Sequence, residues 1–332
     1  MQTVMKRDTD TLLSFAGPEM SIAVSCVHCA VGIDSSSDMI RNPMLRIAYE
    51  HEVNTLFHRS KLCNNFNIEQ WYSCKLEDCP PDVSAKFIQL DLDGGTSSFL
   101  DQSYQKSDWL ITQLWHSVVK SLTSWFVSTT SINGWLGRGA MFIFSHAQFE
   151  QLISKPKSWQ GDKLLDLGAG DGRVTDIMAS FFTSISATEA SGPMRTRLLS
   201  KGYSVLGIDE WNQEDDKYDV ISCLNLLDRC DCPNTILKDI RRCLKPEGLA
   251  IAALVLPYKP FVESGAAKIH PKERLSISGR TWENQVTSFI QVVAPENGFE
   301  VVRFTRLPYL CEGDLSVPFY HLIDAVFVLK PK

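Results

Sequence analysis

Residues 164–172 read Leu-Leu-Asp-Leu-Gly-Ala-Gly-Asp-Gly, and this stretch decides the fold. The apolar run at 163–167 suits a short buried strand. Gly168 and Gly170 suit a tight turn whose backbone can approach a ligand without a Cβ clash. A helical pattern follows over 171–182. Strand, glycine turn and helix in that order open a nucleotide-binding α/β unit.

Downstream the pattern keeps alternating. Strands are expected at 184–188, 203–208, 218–224 and 249–256, with helices at 193–201 and 233–244. A helix at 282–293 precedes strands at 299–306 and 321–329. With 163–167 this makes seven strands, mainly parallel, with helices on both faces. Only a loop separates the last two, which permits an antiparallel hairpin at one edge. Pro308, Gly313 and neighbouring acidic residues mark that loop.

The glycine turn alone does not choose a ligand, since dinucleotide enzymes share it. Asp166 does more. A carboxylate there would repel a pyrophosphate but can hold the ammonium of a methionine moiety. Glu189, at the end of the second strand, can accept both hydroxyls of a free ribose. An acidic pair with a glycine turn therefore suits a cationic sulfonium ligand, S-adenosylmethionine. Asp209, after the third strand, can accept an adenine amino proton, whereas Glu210 suits a solvated loop charge. The expected fold class is thus α/β, Rossmann-like and seven-stranded, the class I S-adenosylmethionine-dependent methyltransferase type, with an N-terminal helical extension.

Asn225 and Asp228 follow the fourth strand, where the chemistry of such a crevice sits. They are three apart and can face one site if the chain turns. Asp228 can alternatively flank the helix that Pro233 begins. Tyr309 and Tyr320 can line a pocket or pack in the core. Arg138 lies among Gly134, Gly137 and Gly139, a setting for either a structural turn or a ligand-facing loop.

The rest of the chain sets limits. It has 332 residues, 44% hydrophobic, enough for a large domain plus an extension. The formal charge of −6 and the lack of a Lys/Arg run argue against nucleic acid as partner. No apolar run is long enough for a membrane span. Residues 1–65 lack periodicity and read as a weakly ordered extension. Residues 66–150 read as a helical region packing on the core, with apolar residues at helical spacing over 109–126. The methyltransferase domain is expected over 151–332. Cys26 and Cys29 resemble half of a zinc site, with Cys74 and Cys79 as a poor second pair, so unrelated thiols are the simpler reading. Of the ten cysteines, Cys223, Cys230, Cys232 and Cys243 read as small buried hydrophobes, and so long and aliphatic a chain needs no disulfide scaffold, which suits an intracellular protein, cytoplasmic or endomembrane-associated.

Several stretches resemble the DREV family, the methyltransferase-like nine proteins. They are Ser131-Ile-Asn-Gly with Leu136-Gly-Arg-Gly139, the 164–172 turn, 219–230 (Asp-Val-Ile-Ser-Cys-Leu-Asn-Leu-Leu-Asp-Arg-Cys), Ala253-Leu-Val-Leu-Pro257 and 305–314. The resemblance runs from about Gln70 to the C-terminus. It implies a protein-histidine N-pros-methyltransferase acting on Nδ1 of histidine in His-x-His segments, where x is small. It also implies that Glu189, Asn225 and Tyr309 contact the cofactor or reaction centre, and that Asp228 and Tyr320 hold the substrate imidazole. Nothing in that chemistry requires a metal. The alternatives are a small-molecule methyltransferase, acting for instance on an imidazole dipeptide, and a silent protein that keeps the cofactor fold.

Residues 1–60 are expected to be dispensable, since they lack core patterning and precede the resemblance. A chain starting near Asn65 should fold, bind S-adenosylmethionine and keep its turnover. Loss of turnover in such a folded truncation would show that the extension helps to build the site.

Overall fold

A computed structural model describes residues 68–107, 139–213, 215, 217–264, 267–313 and 317–332. All lie within the compact unit Asn67–Lys332. The expected extension at 1–65 with Cys26 and Cys29, the helical pattern at 109–126 and the loop carrying Arg138 lie outside the described residues.

The chain enters through two 3-10 turns, Ile68–Trp71 and Leu76–Asp78, and the short helix α1, Pro81–Ser84. Helix α2 (Gly94–Ser107) and strand β1 (Met141–Phe142) follow, then helix α3 (His146–Ile153). Ser145 starts α3 with a capping box: its side chain accepts from Gln148 N, and the Gln148 side chain accepts from Ser145 N. The α/β alternation then begins with β2 (Gly161–Leu167), α4 (Arg173–Ala179), β3 (Phe182–Thr188), α5 (Gly192–Ser200) and β4 (Ser204–Leu206). It continues with β5 (Tyr218–Leu224), α6 (Pro233–Cys243) and β6 (Leu244–Val255). Prolines sit in the first turns of α5 and α6, where a missing N–H costs nothing. A small hairpin, β7 (Val262–Ser264) and β8 (Ala267–Ile269), precedes α7 (Trp282–Ser288), a π-helical turn (Phe289–Val293) and α8 (Ala294–Glu296). The long strands β9 (Phe299–Glu312) and β10 (Phe319–Pro331) close the fold.

The sheet runs in the order β1-β9-β10-β6-β5-β2-β3-β4. From β4 to β6 all neighbours are parallel. The closing strand β10 is antiparallel to both β6 and β9. This is the expected seven-stranded doubly wound sheet, extended to eight by β1 at the β9 edge. The chain winds outward from β2 through β3 to β4, then returns to β5 on the other side of β2. That reversal opens a crevice at the carboxyl ends of β2 and β5. Helix α3 runs straight through position 151, and β1 joins the sheet before it.

Some boundaries differ from the sequence expectation. Helix α4 ends at Ala179, and Phe182, expected inside it, begins β3. The third strand shrinks from 203–208 to Ser204–Leu206. Strand β9 continues past Arg306 to Glu312, so Tyr309 and Cys311 lie on a strand and not in a loop. The breaker signal of Pro308 fails because, among the described residues, only β10 lies opposite it, at Ile323, while β1 meets β9 further on, at Leu310 and Cys311.

The core fills the sheet face beneath α6 and α7. Phe304 and Phe327 are fully buried, and Phe304 also meets Phe87 and Trp282. Phe327 stacks on Phe289 with ring centroids 4.0 Å apart. Phe304→Ala should cost roughly 3–5 kcal/mol through lost transfer energy and a cavity. Urea unfolding measures this, and a loss below about 1 kcal/mol would show that the aromatic cluster collapses around the gap.

Candidate functional site

The crevice is built on Asp166, the second-last residue of β2. Its side chain is buried, and both carboxylate oxygens are engaged. Ser222 Oγ on β5 donates to Oδ1 at 2.7 Å, and Thr175 Oγ1 on α4 donates to Oδ2 at 2.6 Å. Burial lifts this carboxyl to about 6, against the pull of those two hydroxyls, with Glu189 nearby adding to the rise. Asp166 therefore ties β2, β5 and α4 together, and its remaining lone pairs are what it can offer a ligand.

Next comes the glycine turn. Gly168, Gly170 and Gly172 all have positive φ, at 72°, 57° and 77°. An L side chain is strained there, which is why the turn needs glycine. Gly168 N and Ala169 N both donate to Thr188 O at 3.0 Å, locking the turn to the end of β3. Glu189 stands directly beyond. Its carboxylate accepts from Gly170 N at 3.0 Å and from Ser191 N at 2.8 Å. Arg195 braces the same corner by donating to the carbonyls of Glu189 and Leu206, each at 3.2 Å. Glu189 is thus pre-oriented at the mouth of the turn, where a ribose would lie. After β4, Asp209 is exposed beside Ile208, itself 56% exposed. An adenine ring laid there would cover the apolar side chain. Glu210 instead accepts from Gly207 N at 3.2 Å and closes its own turn.

Across the switch point, Asn225 directly follows β5 with φ 54°, a left-handed conformation that Asn tolerates better than most residues. Asn225 N donates to Ala253 O at 3.0 Å, and its Nδ2 donates to Asp324 Oδ2 at 2.7 Å. Asp228 is buried, with Arg229 Nε 3.7 Å from its Oδ2. Burial raises the Asp228 carboxyl, and Arg229 opposes that rise. Asp324, on β10, is fully buried and pushed up to about 8 by desolvation, against the Asn225 hydrogen bond. Asn225 Oδ1, Asp228 Oδ1 and Asp324 Oδ1 are all buried without a hydrogen-bond partner, as is the donor Arg229 Nε. Buried polar atoms are nearly always satisfied, so an unfilled set like this one marks a place for a donor.

The other expected residues are distributed as follows. Tyr309 is buried, and its hydroxyl donates to Met141 Sδ. Met141 Cε would lie 3.3 Å from a Cβ on Gly170, so Tyr309 reaches the glycine turn through Met141. Burial raises the Tyr309 hydroxyl further from ionisation. Tyr320 is 48% exposed and stands four residues along β10 from Asp324, roughly 13 Å away on the same strand face. The structure therefore brings Asn225 and Asp228 together and sets Tyr320 at the rim. Arg138 lies outside the described residues, although Gly139 beside it has φ 76°.

Sequence reading missed Asp324, Thr175, Ser222 and Glu312. Asp324 carried a signal: a lone carboxylate within Leu322-Ile-Asp-Ala-Val-Phe-Val-Leu329, in a strand otherwise apolar. Glu312 is buried, pairs with Lys106, lies 3.6 Å from Arg173 Nη1 and accepts from Ala140 N. It braces β1 and the start of α4 beside the turn.

The donor set fits S-adenosylmethionine. A glycine turn, an oriented carboxylate and unfilled buried acceptors are complementary to a positively charged ligand carrying ammonium and hydroxyl donors. Among the described residues no group of three or more His, Cys, Asp or Glu is placed to hold a metal ion. No described helix is long and apolar enough to cross a membrane.

Comparisons with known proteins place the chain in a family. The family model described as DREV methyltransferase matches residues 71–331. The ubiquinone biosynthesis O-methyltransferase of Pasteurella multocida is 30% identical over 107 residues, covering 27% of this chain and 44% of that protein. The mitochondrial ubiquinone biosynthesis O-methyltransferase of Schizosaccharomyces pombe is 27% identical over 116 residues, covering 32% of this chain and 42% of that protein. The chain thus spans less than half the length of these curated relatives. Among solved structures, a SAM-dependent methyltransferase from Leishmania major is 15% identical, with a TM-score of 0.41 over 65% of this chain and 83% of that one. A methyltransferase-like protein from Bacillus halodurans is 12% identical, with a TM-score of 0.38 over 56% of this chain and 99% of that one.

The raised carboxyl of Asp324 predicts a pH effect. An unfolded Asp titrates near about 3.9. Between there and about 8 the folded chain holds a proton that the unfolded chain has lost. Stability should therefore fall as pH rises through that window. Asp166, lifted to about 6, adds the same sign over the lower part of it. In Asp324→Asn that component disappears, so the melting temperature of the variant relative to the natural chain should improve between pH 6 and pH 9. A difference that does not move with pH would contradict burial as the cause.

Proposed function

The chain belongs to the DREV methyltransferase family, with S-adenosylmethionine as its cofactor, and from that premise we propose that it methylates Nδ1 of histidine in protein segments of the form His-x-His, x being small. The observation that carries this reading is Asp228 Oδ1, a buried acceptor without a partner, three residues after Asn225 at the crevice. Bound S-adenosylmethionine supplies a methyl group activated by its sulfonium. The work left to the protein is to present the right nitrogen in the right protonation state.

An imidazole offers a lone pair at Nδ1 only when Nε2 carries the proton. Asp228 accepts the Nε2–H bond and so holds that tautomer. Its charge also offsets the positive charge that the ring acquires as it is alkylated. Arg229 limits the rise that burial imposes on Asp228 and keeps the ionised form accessible. Glu189 and the backbone of the glycine turn hold the cofactor side, and Asn225 borders both. Tyr320, at the exposed rim on β10, offers its ring and hydroxyl to the incoming segment. An open rim of this kind supports a polypeptide substrate over a small enclosed one.

Asp228→Asn tests the assignment, because it keeps the size and removes the charge. With a His-x-His peptide and labelled cofactor, turnover should fall roughly 10²-fold. Affinity for S-adenosylhomocysteine, measured by calorimetry, should change little. Near-normal turnover in the variant would reduce Asp228 to a residue flanking α6.

A further inference from the structure

We infer that Asp324 is the positioning residue of the crevice: it fixes the Asn225 side-chain amide so that Oδ1 is left as the acceptor for an N–H of the bound ligand. This rests on the crevice being the ligand site. An Asn amide has two ends of similar shape and opposite polarity, and only its surroundings choose between them. Here the choice is made from behind. Asp324 Oδ2 lies 2.7 Å from Asn225 Nδ2 and is wholly inside the sheet, so Nδ2 is committed to the protein. The other end, Oδ1, is buried and has no donor.

The backbone leaves Asn225 little freedom to choose otherwise. It directly follows β5 with φ 54°, and its N–H is held by Ala253 O on β6. Asp324 itself is fixed in the sheet, opposite Val255 of β6 and Leu307 of β9. The pair thus spans β5 and β10, with β6 between them in the sheet order. The groups acting on Asp324 are Asn225, Asp228 and Arg229 from the segment after β5, and Tyr309 from β9 is coupled to it. A carboxyl in a solid apolar strand is expensive to bury. Its placement behind a single amide is what that cost secures.

The donor that meets Oδ1 has two sources, the ammonium of the cofactor and the imidazole N–H of the substrate. Calorimetric titration with S-adenosylhomocysteine reports the first. The KM and kcat of a His-x-His peptide report the second. Asp324→Leu removes the acceptor while keeping the branched shape, and Asp324→Asn keeps the shape while allowing either amide orientation. The folded Leu variant should lose at least 10-fold in cofactor affinity or in kcat/KM, and the Asn variant should lose less. The decisive variant is the exchange Asn225→Asp with Asp324→Asn. There the new amide can only donate to the new carboxylate, which again leaves an oxygen as acceptor in the crevice. The exchange should recover activity or affinity well above the Leu variant. If Leu does not fold, the comparison is made between Asp324→Asn and the exchange, each checked by its melting curve. A folded Asp324 variant with unchanged affinity and unchanged kcat/KM would overturn the inference. So would an exchange variant no better than the single substitution, since a merely structural carboxyl would gain nothing from reversal. If the natural chain does not methylate the peptide, the histidine reading fails, but the calorimetric arm still tests Asp324.

Discussion

The crevice depends on the hydrogen bonds of one buried carboxylate. Asp166 joins Ser222 of β5 and Thr175 of α4 to β2, the strand from which the sheet winds in both directions. At a reversal of strand order the neighbouring connections diverge, and nothing in the strand ladder itself holds the helix against the second strand. Asp166 supplies that tie through two short hydroxyl contacts. The same burial that makes the tie rigid raises the carboxyl to about 6. A methyltransferase crevice is then fixed before any ligand enters, which is what alignment of reacting atoms requires.

Around that tie the charges are sorted into two groups. On the β1 and α4 side, Glu312 is matched by Lys106 and Arg173. On the β5 and β10 side, Asp228 and Asp324 are buried with Arg229 as their cation, and one oxygen each of Asn225, Asp228 and Asp324 is left without a partner. The first group is closed and holds strands in place. The second is open: Arg229 Nε, too, is buried without a hydrogen-bond partner. A ligand bringing positive charge and N–H groups completes it, so the deficit describes the ligand as much as the protein.

Much of this was legible in the sequence because local patterns coincide with the fold. The 164–172 turn needs positive φ at three positions, which glycine meets without strain. Alternating strands and helices gave the parallel sheet, and the loop-linked final pair gave the antiparallel edge. Asn225 and Asp228 were visible because they follow a strand directly. Tertiary contacts hid the rest. Pro308 reads as a breaker, yet β9 runs through it. Asp324 reads as one acid in a strand, and only the pairing of β10 with β6 brings it to Asn225, 99 residues away. Tyr320 looked equivalent to Tyr309, but strand register places one at the rim and the other in the interior.

The central claim is that the crevice presents Nδ1 of a histidine to the methyl group. The most direct measurement is to incubate the protein with S-adenosylmethionine and a His-x-His peptide, then determine by NMR or mass spectrometry which ring nitrogen is methylated. The account predicts pros-methylhistidine, substituted at Nδ1. The tele isomer would mean that the imidazole binds the other way round, and absence of methylation on histidine in any peptide or protein segment would contradict the claim itself.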